Sequence, residues 1–369
     1  MALTKGVIIY PGTTTPILSG NSLPLAIIGT ATNATVSNNT IQKVTSAADA
    51  TAKFGAHAAG DTLPRNLDIL IRYGCNNIYA IKVADAASIV GSDTTGARTG
   101  IYLIKDIPSL YKDIPNFILA PGQNTDAVVT AATAVADAIR SIAVIDPTDG
   151  DSIANIVTAR AGNTGIGQDK ERLIITYPYL NNAVTPTIHE PLSTHLAGTM
   201  AKNGDYGKTV SSQPLLGIST LSVSLSMSVT DENSDTSKLL GAGVITVMND
   251  DNIPGGFETW GDRNSTFPSS SDVRSFIHAI RTEDAVMQKA IFRARKFIDL
   301  PSNLMTANMA TSSYDAMFFE MATQSGLQRG SAQWDSTNSN IPAGRLKHIL
   351  QFQPNNMVEI MELAVSIGG

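Results

Sequence analysis

The chain has 369 residues, 43 % hydrophobic and 16 % charged, with a formal net charge of −6 and an isoelectric point near 5.4. That length holds two or three domains at about 100–200 residues each, and the composition is that of a folded rather than a disordered chain. One cysteine, Cys75, excludes an internal disulfide and a thiolate zinc site, and no run of about 18 apolar residues is present to span a membrane.

The opening MALTKGVIIYPG lacks the apolar core and cleavage site of a signal peptide. Within it Val7, Ile8, Ile9 and Tyr10 form a short strand candidate between Gly6 and Pro11, and Gly12, Pro16, Gly20 and Pro24 punctuate the next stretch of chain. Such an isolated strand pairs either with its own sheet or with a neighbour's by strand addition. LAIIGTA (25–31) reads as a buried strand. VTSAADATAKFG (44–55) reads as a helix capped by Ser46 and stopped by Gly55. LPRNLDILIRYG (63–74) is a second helix with Pro64 in its first turn, and NIYAIKV (77–83) a strand. The small polar stretch at 85–97 suggests a boundary.

From about residue 100 strands and helices alternate. NFILAPG (116–122), SIAVIDP (141–147) and ERLIITYPYL (171–180) are strands, with helices at 125–140 and after Asp151, the rhythm of βαβ units and a largely parallel sheet. A helix is expected between His195 and Lys202. LSVSLSMSV (221–229) is a period-two strand, Asp231–Ser237 a polar junction and LLGAGVITVMND (239–250) a strand. In the last third, a helix around Ser312–Gln324 precedes a hairpin-like loop at 330–344. Strands follow at 345–354 and 357–367.

The stretch DVRSFIHAIRTEDAVMQKAIFRARKFID (272–299) reads as one long two-faced helix. At about 100° per residue, Val273, Phe276, Ile277, Ile280, Met287, Ile291, Ala294, Phe297 and Ile298 share one side. Arg274, Arg281, Lys289, Arg293, Arg295 and Lys296 gather on the other. A basic face on an acidic chain is either a solvated surface or a surface for an anionic partner. Nucleic acid is a poor fit, because no aromatic stacking pattern is interleaved.

Signals for catalysis are weak. APGQNTD (120–126) ends a strand and opens a helix but has no phosphate-binding glycine pattern, and IDPTDGDS (145–152) clusters Asp146, Asp149 and Asp151 without metal-binding spacing. There is no GxSxG elbow, and the five histidines show no ligand spacing. No catalytic, metal or cofactor site is assigned. The alternative reading is a soluble α/β enzyme with a site at the strand ends near Pro121 and Asp146.

At GGFETWGDRN (255–264), after GVITVMND, the sequence resembles the tail sheath proteins of contractile-tail phages and related injection machines. Trp260, Gly261 and Arg263 match that family's W-G-x-R-T ending. Asn264 replaces its threonine, and Glu258 stands where a basic residue is common. LAIIGTA, VTSAADATAKFG, GCNNIYAIKV, NFILAPG, the long helix, GSAQWDSTNSN and AGRLKHILQFQP follow the family's order over nearly the whole chain.

The resemblance implies an α/β subunit: an α+β core with an inserted βαβ domain and strand-bearing terminal arms. The divisions expected are an arm at 1–22, an α/β segment at 23–96 and an inserted outer domain at 97–237. A core domain facing the tube at 238–355 and an arm strand at 356–369 complete them. It implies a non-enzymatic polymer of stacked hexameric rings around an inner tail tube, with baseplate and tail terminator proteins as further partners. No nucleic acid, cofactor or membrane insertion is implied. Such a sheath is assembled in the host cytoplasm, becomes part of the virion and contracts to drive the tube through the cell envelope. Residues Val7–Tyr10 and Val358, Glu359, Ile360, Met361, Glu362 and Leu363 would be exchanged between subunits, and the basic face of 272–299 would meet the tube.

Overall fold

In a computed structural model, the chain is described for residues 22–203, 206–250, 256–323, 327–355 and 357. The strands expected at 7–10 and 357–367 lie outside these residues, Met357 excepted.

The described chain runs β1 (Leu25–Thr30), β2 (Ile41–Val44), α1 (Ala47–Phe54), α2 (Leu63–Arg72), β3 (Ile78–Val83), α3 (Ile107–Tyr111), β4 (Phe117–Leu119), α4 (Asp126–Ile139), β5 (Ile142–Ile145) and α5 (Ile153–Arg160). It continues through β6 (Leu173–Thr176), β7 (Leu180–Asn182), β8 (His189–Glu190), α6 (Leu192–Asn203), β9 (Ile218–Leu221), α7 (Asp235–Gly241), β10 (Val244–Asp250) and β11 (Gly256–Trp260). It ends with α8 (Ile277–Ala294), α9 (Leu304–Thr323), β12 (Leu327–Trp334) and β13 (His348–Pro354).

Eight strands make one sheet in the order β11-β10-β6-β5-β4-β1-β3-β2. The six inner strands are parallel, and β2 and β11 close the edges antiparallel. The inner strands are continuous apolar runs because helices cover both faces. Alternate residues divide between two cores. Leu25, Ile27, Ile78, Phe117, Val144 and Ile174 pack with α1, α2, α6 and the start of α8. Ala26, Ile28, Ile81, Ile118, Ile145 and Ile175 pack with α4, α5 and α7. Ser46, Thr125, Ser152 and Ser234 each accept a backbone N–H at a helix start, which fixes where α1, α4, α5 and α7 begin.

The sheet corrects the domain boundaries expected at 96/97 and 237/238. Segment 97–237 supplies β4, β5 and β6, but β4 pairs with β1 and β6 with β10, so the sheet is continuous from residue 25 to residue 260. An isolated 97–237 fragment would leave both flanks of three buried strands unpaired. It is expected to give the circular dichroism of an unfolded or aggregated chain; a cooperative thermal transition would contradict the continuous-sheet account.

A second, smaller unit follows. α8 and α9 pack around Val286, Ala290, Met317, Phe318 and Met321, and the antiparallel pair β12–β13 lies against α9. Gly330 makes this contact possible: a Cβ there would sit 2.3 Å from the Phe318 ring.

Three further expectations are corrected. The helix read over 272–299 breaks at Phe276, whose backbone is extended; Asp272 caps only the single 3-10 turn Val273–Ser275, and α8 starts at Ile277, whose N–H donates to the Asp262 carbonyl. The strand read at 221–229 stops at Leu221, because the Asp235 carboxylate and the Ser226 and Ser228 hydroxyls take backbone N–H groups around the start of α7. The strand read from Leu239 starts at Val244, since Ser234 nucleates a helix through Gly241.

Candidate assembly interface

The six basic residues expected on one face are distributed over different environments. Arg274 lies outside α8 and bridges Glu171 and Glu283 at 2.7 Å each. Arg281 is only 5 % exposed; its guanidinium donates to the Lys208 carbonyl at 3.1 Å and lies over the Phe117 ring. Arg293 meets Glu320 of α9 at 2.8 Å and the Ser313 carbonyl at 3.1 Å, with Lys289 3.8 Å from the same carboxylate. Arg295 and Lys296 are exposed just past α8. The uniform basic face is therefore corrected. α8 is packed on two sides, by the large sheet through Ile277 and Ile280 and by α9 through Val286 and Ala290, so its polar positions also fall inside contacts.

The apolar side departs from expectation too. Phe292 is 67 % exposed and Ile298 65 %, and Leu304, Met305, Met309 and Phe319 are exposed on α9. Large exposed apolar side chains of this kind suit a contact surface.

Trp260, Gly261 and Arg263 act locally. Trp260 ends β11 opposite Thr246. Gly261 has φ of +116°, and a Cβ would lie 2.7 Å from a Leu240 methyl. Arg263 stacks its guanidinium on Phe276, 3.5 Å from the ring centre, and donates to the Ser275 hydroxyl. Together they hold the turn from the sheet edge into α8. Asn264, fully buried, donates to the Arg274 carbonyl at 2.7 Å and secures the same turn.

Two buried polar clusters escaped the sequence reading. In the first, Arg172, directly before β6, forms a two-pronged pair with Asp284 of α8 at 2.6 and 2.7 Å, both side chains being largely buried. This pair couples the large sheet to the helical unit. In the second, Glu190 accepts from Arg72 at 3.0 and 3.1 Å, His195 at 2.9 Å and Asn182 at 2.6 Å. Burial works to raise the Glu190 carboxyl, but hydrogen bonds from His195 and Arg72 outweigh it and hold it at about 2. Burial keeps the His195 pKa low; its Nε2–H donates to Glu190 while Nδ1 accepts from the Tyr73 hydroxyl at 2.8 Å.

The strand ends near Pro121 and Asp146 are filled. Pro121 is buried, and Asp146 is 2 % exposed. Its carboxylate accepts the Ser193 N–H at 2.8 Å, the Ser193 hydroxyl at 2.5 Å and the Thr176 hydroxyl at 2.7 Å. It anchors the first turn of α6. A cavity of about 410 Å³ lies instead beside Asn116 and Ile142, at the amino ends of β4 and β5, bounded by α8. Ligand sites in open α/β sheets lie at the carboxyl ends.

Burial pushes the Asp146 carboxyl up to about 6. Folding therefore takes up a proton between about pH 4 and pH 6. This contribution to stability is greatest below that window, falls by roughly 2–3 kcal/mol across it and is level above. Asp146→Asn is expected to remove this slope, as read from wild-type minus variant stabilities in urea; parallel curves would refute it.

No family model matches the sequence. The chain is 29 % identical over 226 residues to the tail sheath protein of Burkholderia phage BcepMu, covering 58 % of this chain and 47 % of that protein. It is 28 % identical over 267 residues to a putative prophage major tail sheath protein of Pseudomonas aeruginosa, covering 69 % of this chain and 65 % of that protein. The chain thus matches about half to two thirds of the length of these curated relatives. Its fold is similar over 99 % of the chain to the sheath complex of an extracellular contractile injection system in the contracted state, with a TM-score of 0.70, 18 % identity and 98 % of that chain covered. It is similar over 99 % of both chains to a chain of the anti-feeding prophage baseplate in the contracted state, with a TM-score of 0.71 and 16 % identity. In sequence the chain is thus similar to curated tail sheath proteins, and in fold it is similar to subunits of contractile injection-system sheaths.

Proposed function

We propose that this chain is a structural, non-enzymatic subunit of a contractile sheath. It polymerises around an inner tube and shortens to drive that tube through a cell envelope. The observation that carries the reading is the likeness in fold to contracted injection-system sheaths over 99 % of the chain, alongside curated relatives named as tail sheath proteins. The assembly consists of stacked hexameric rings capped by baseplate and terminator proteins, built in the host cytoplasm and carried on a virion or related particle. Neither nucleic acid nor membrane insertion has a part in it.

Segments 1–22 and 356–369 serve as arms, with Val7–Tyr10 and Val358–Leu363 as the exchanged strands. The β12–β13 sheet supports this, because among the described residues it has two strands and so two edges open to strand addition. Backbone pairing of this kind survives rigid-body movement of the subunits. The unit at 277–354 faces the tube. Its contact is centred on Arg295 and Lys296 with Phe292 and Ile298, which makes it partly apolar and only partly sensitive to salt.

Negative-stain microscopy of the purified full-length chain tests the reading. Long hollow cylinders are expected, with removal of 356–369 leaving folded subunits that form none. Monodisperse small particles whose melting shifts with a small ligand would favour the enzyme reading instead.

A further inference from the structure

Directly after the Trp-Gly pair, the Asp262 carboxylate contacts Nδ1 of His278, and its other oxygen faces the Val210 N–H at 3.4 Å. His278 is 2 % exposed, in the first turn of α8. Its Nε2 lies 3.0 Å from the carbonyl oxygen of Asn355, the residue after β13 and the last before segment 356–369. One ring thus joins the end of the large sheet, the start of α8 and the residue after β13.

The chemistry of the two partners is restrictive. A carboxylate and a backbone carbonyl both accept and neither donates. The ring makes both bonds only with hydrogen on both nitrogens. His195 differs: its second partner is the Tyr73 hydroxyl, which can donate, so a neutral ring satisfies that site. Among the described residues, three charged side chains lie close to His278. Arg281 lies one turn along α8 with its guanidinium on the Lys208 carbonyl, and Arg263 stacks on Phe276, whose ring centre is 5.3 Å from that of His278. Asp262 is the carboxylate in contact with the ring.

We propose that Asp262 and His278 form a clasp that fixes where the C-terminal segment leaves the fold, and that the His278 ring donates through both nitrogens. Its consequence for assembly rests on the reading of 356–369 as an exchanged arm; the clasp itself does not. A charge-assisted bond at this position holds the end of β13, so its loss opens that end locally.

Hydrogen exchange on the isolated full-length subunit tests the clasp. In His278→Gln and Asp262→Asn, amides of 348–355 are expected to exchange about tenfold faster while β1, β4 and β5 are unchanged. Unchanged exchange at 348–355 in a variant with native circular dichroism would overturn it. Nitrogen NMR reads the ring directly in the folded wild-type subunit, with the His278 signals identified by their loss in His278→Gln. Two N–H signals are expected, and one bare nitrogen would overturn the proposal. In the same preparations, cylinder formation is expected to fall at least about tenfold in both variants. Variants with raised exchange but wild-type cylinder yield would overturn the link to assembly. A wild-type chain that forms no cylinders would sink the sheath reading, with exchange and ring signals still deciding the clasp.

Discussion

Replacing Glu190 with alanine is expected to lower subunit stability by about 3–5 kcal/mol, the cost of breaking a buried ion pair from one side. Glu190 is 1 % exposed and is the shared acceptor for Arg72, His195 and Asn182, so its removal leaves the buried His195 N–H without an acceptor and takes the carboxylate from the other two. These donors come from α2, the start of α6 and β7, so one carboxylate ties three elements together. Glu190→Gln keeps the shape and one acceptor oxygen and is expected to lose less. The pH dependence gives a second handle. With the folded carboxyl held at about 2 and an unfolded value near 4.3, the contribution of Glu190 is complete above about pH 5 and is lost as pH falls toward 2. The stability gap between wild type and Glu190→Gln should therefore narrow between pH 5 and pH 3 in urea titrations. A gap that stays constant, or an alanine loss under about 1 kcal/mol, would contradict the assignment.

Asp284→Ala is expected to cost a similar 3–5 kcal/mol and to act on a different joint. Arg172 stays in a site where burial disfavours its charge, and the Asp284 carboxylate is what offsets this. Arg140, 3.5 Å from the same carboxylate, keeps only Glu283 at 4.0 Å. Because the pair ties the strand entry at Leu173 to α8, the loss should appear as faster hydrogen exchange in α8 ahead of the sheet core. The double replacement Arg172→Met with Asp284→Leu removes both charges and should recover much of the loss, since apolar packing often equals a buried pair. If the double variant were as unstable as the single one, the joint would depend on specific geometry rather than on uncompensated charge.

Local chemistry made much of the fold readable. The runs LAIIGT, IAVI and LIIT are strands because parallel sheets are buried on both faces, and Ser46 and Ser152 mark helix starts through their hydroxyls. Features that depend on distant residues were hidden. Periodicity puts Arg281 on the side opposite the apolar residues because it assumes one packed face, whereas α8 is packed on two. The polar stretch at 85–97 looked like a domain boundary, but β3 before it and β4 after it both pair with β1. Partners such as Arg172 with Asp284, 112 positions apart, and Arg72 with Glu190, 118 apart, leave no local pattern. Among the site residues, the Trp260, Gly261 and Arg263 motif was legible, while its tie through Asp262 to His278 and Asn355 needed the fold.

In the proposed sheath one folded subunit occupies two helical lattices, and contraction moves subunits without unfolding them. Cryo-electron microscopy of cylinders assembled from the full-length chain, imaged with their tube and after triggered release from it, tests this directly. A long narrow lattice and a short wide one are expected, with the Arg172–Asp284 joint and the eight-stranded sheet unchanged in both. A single lattice before and after release, or the sheet coming apart between the two states, would contradict it.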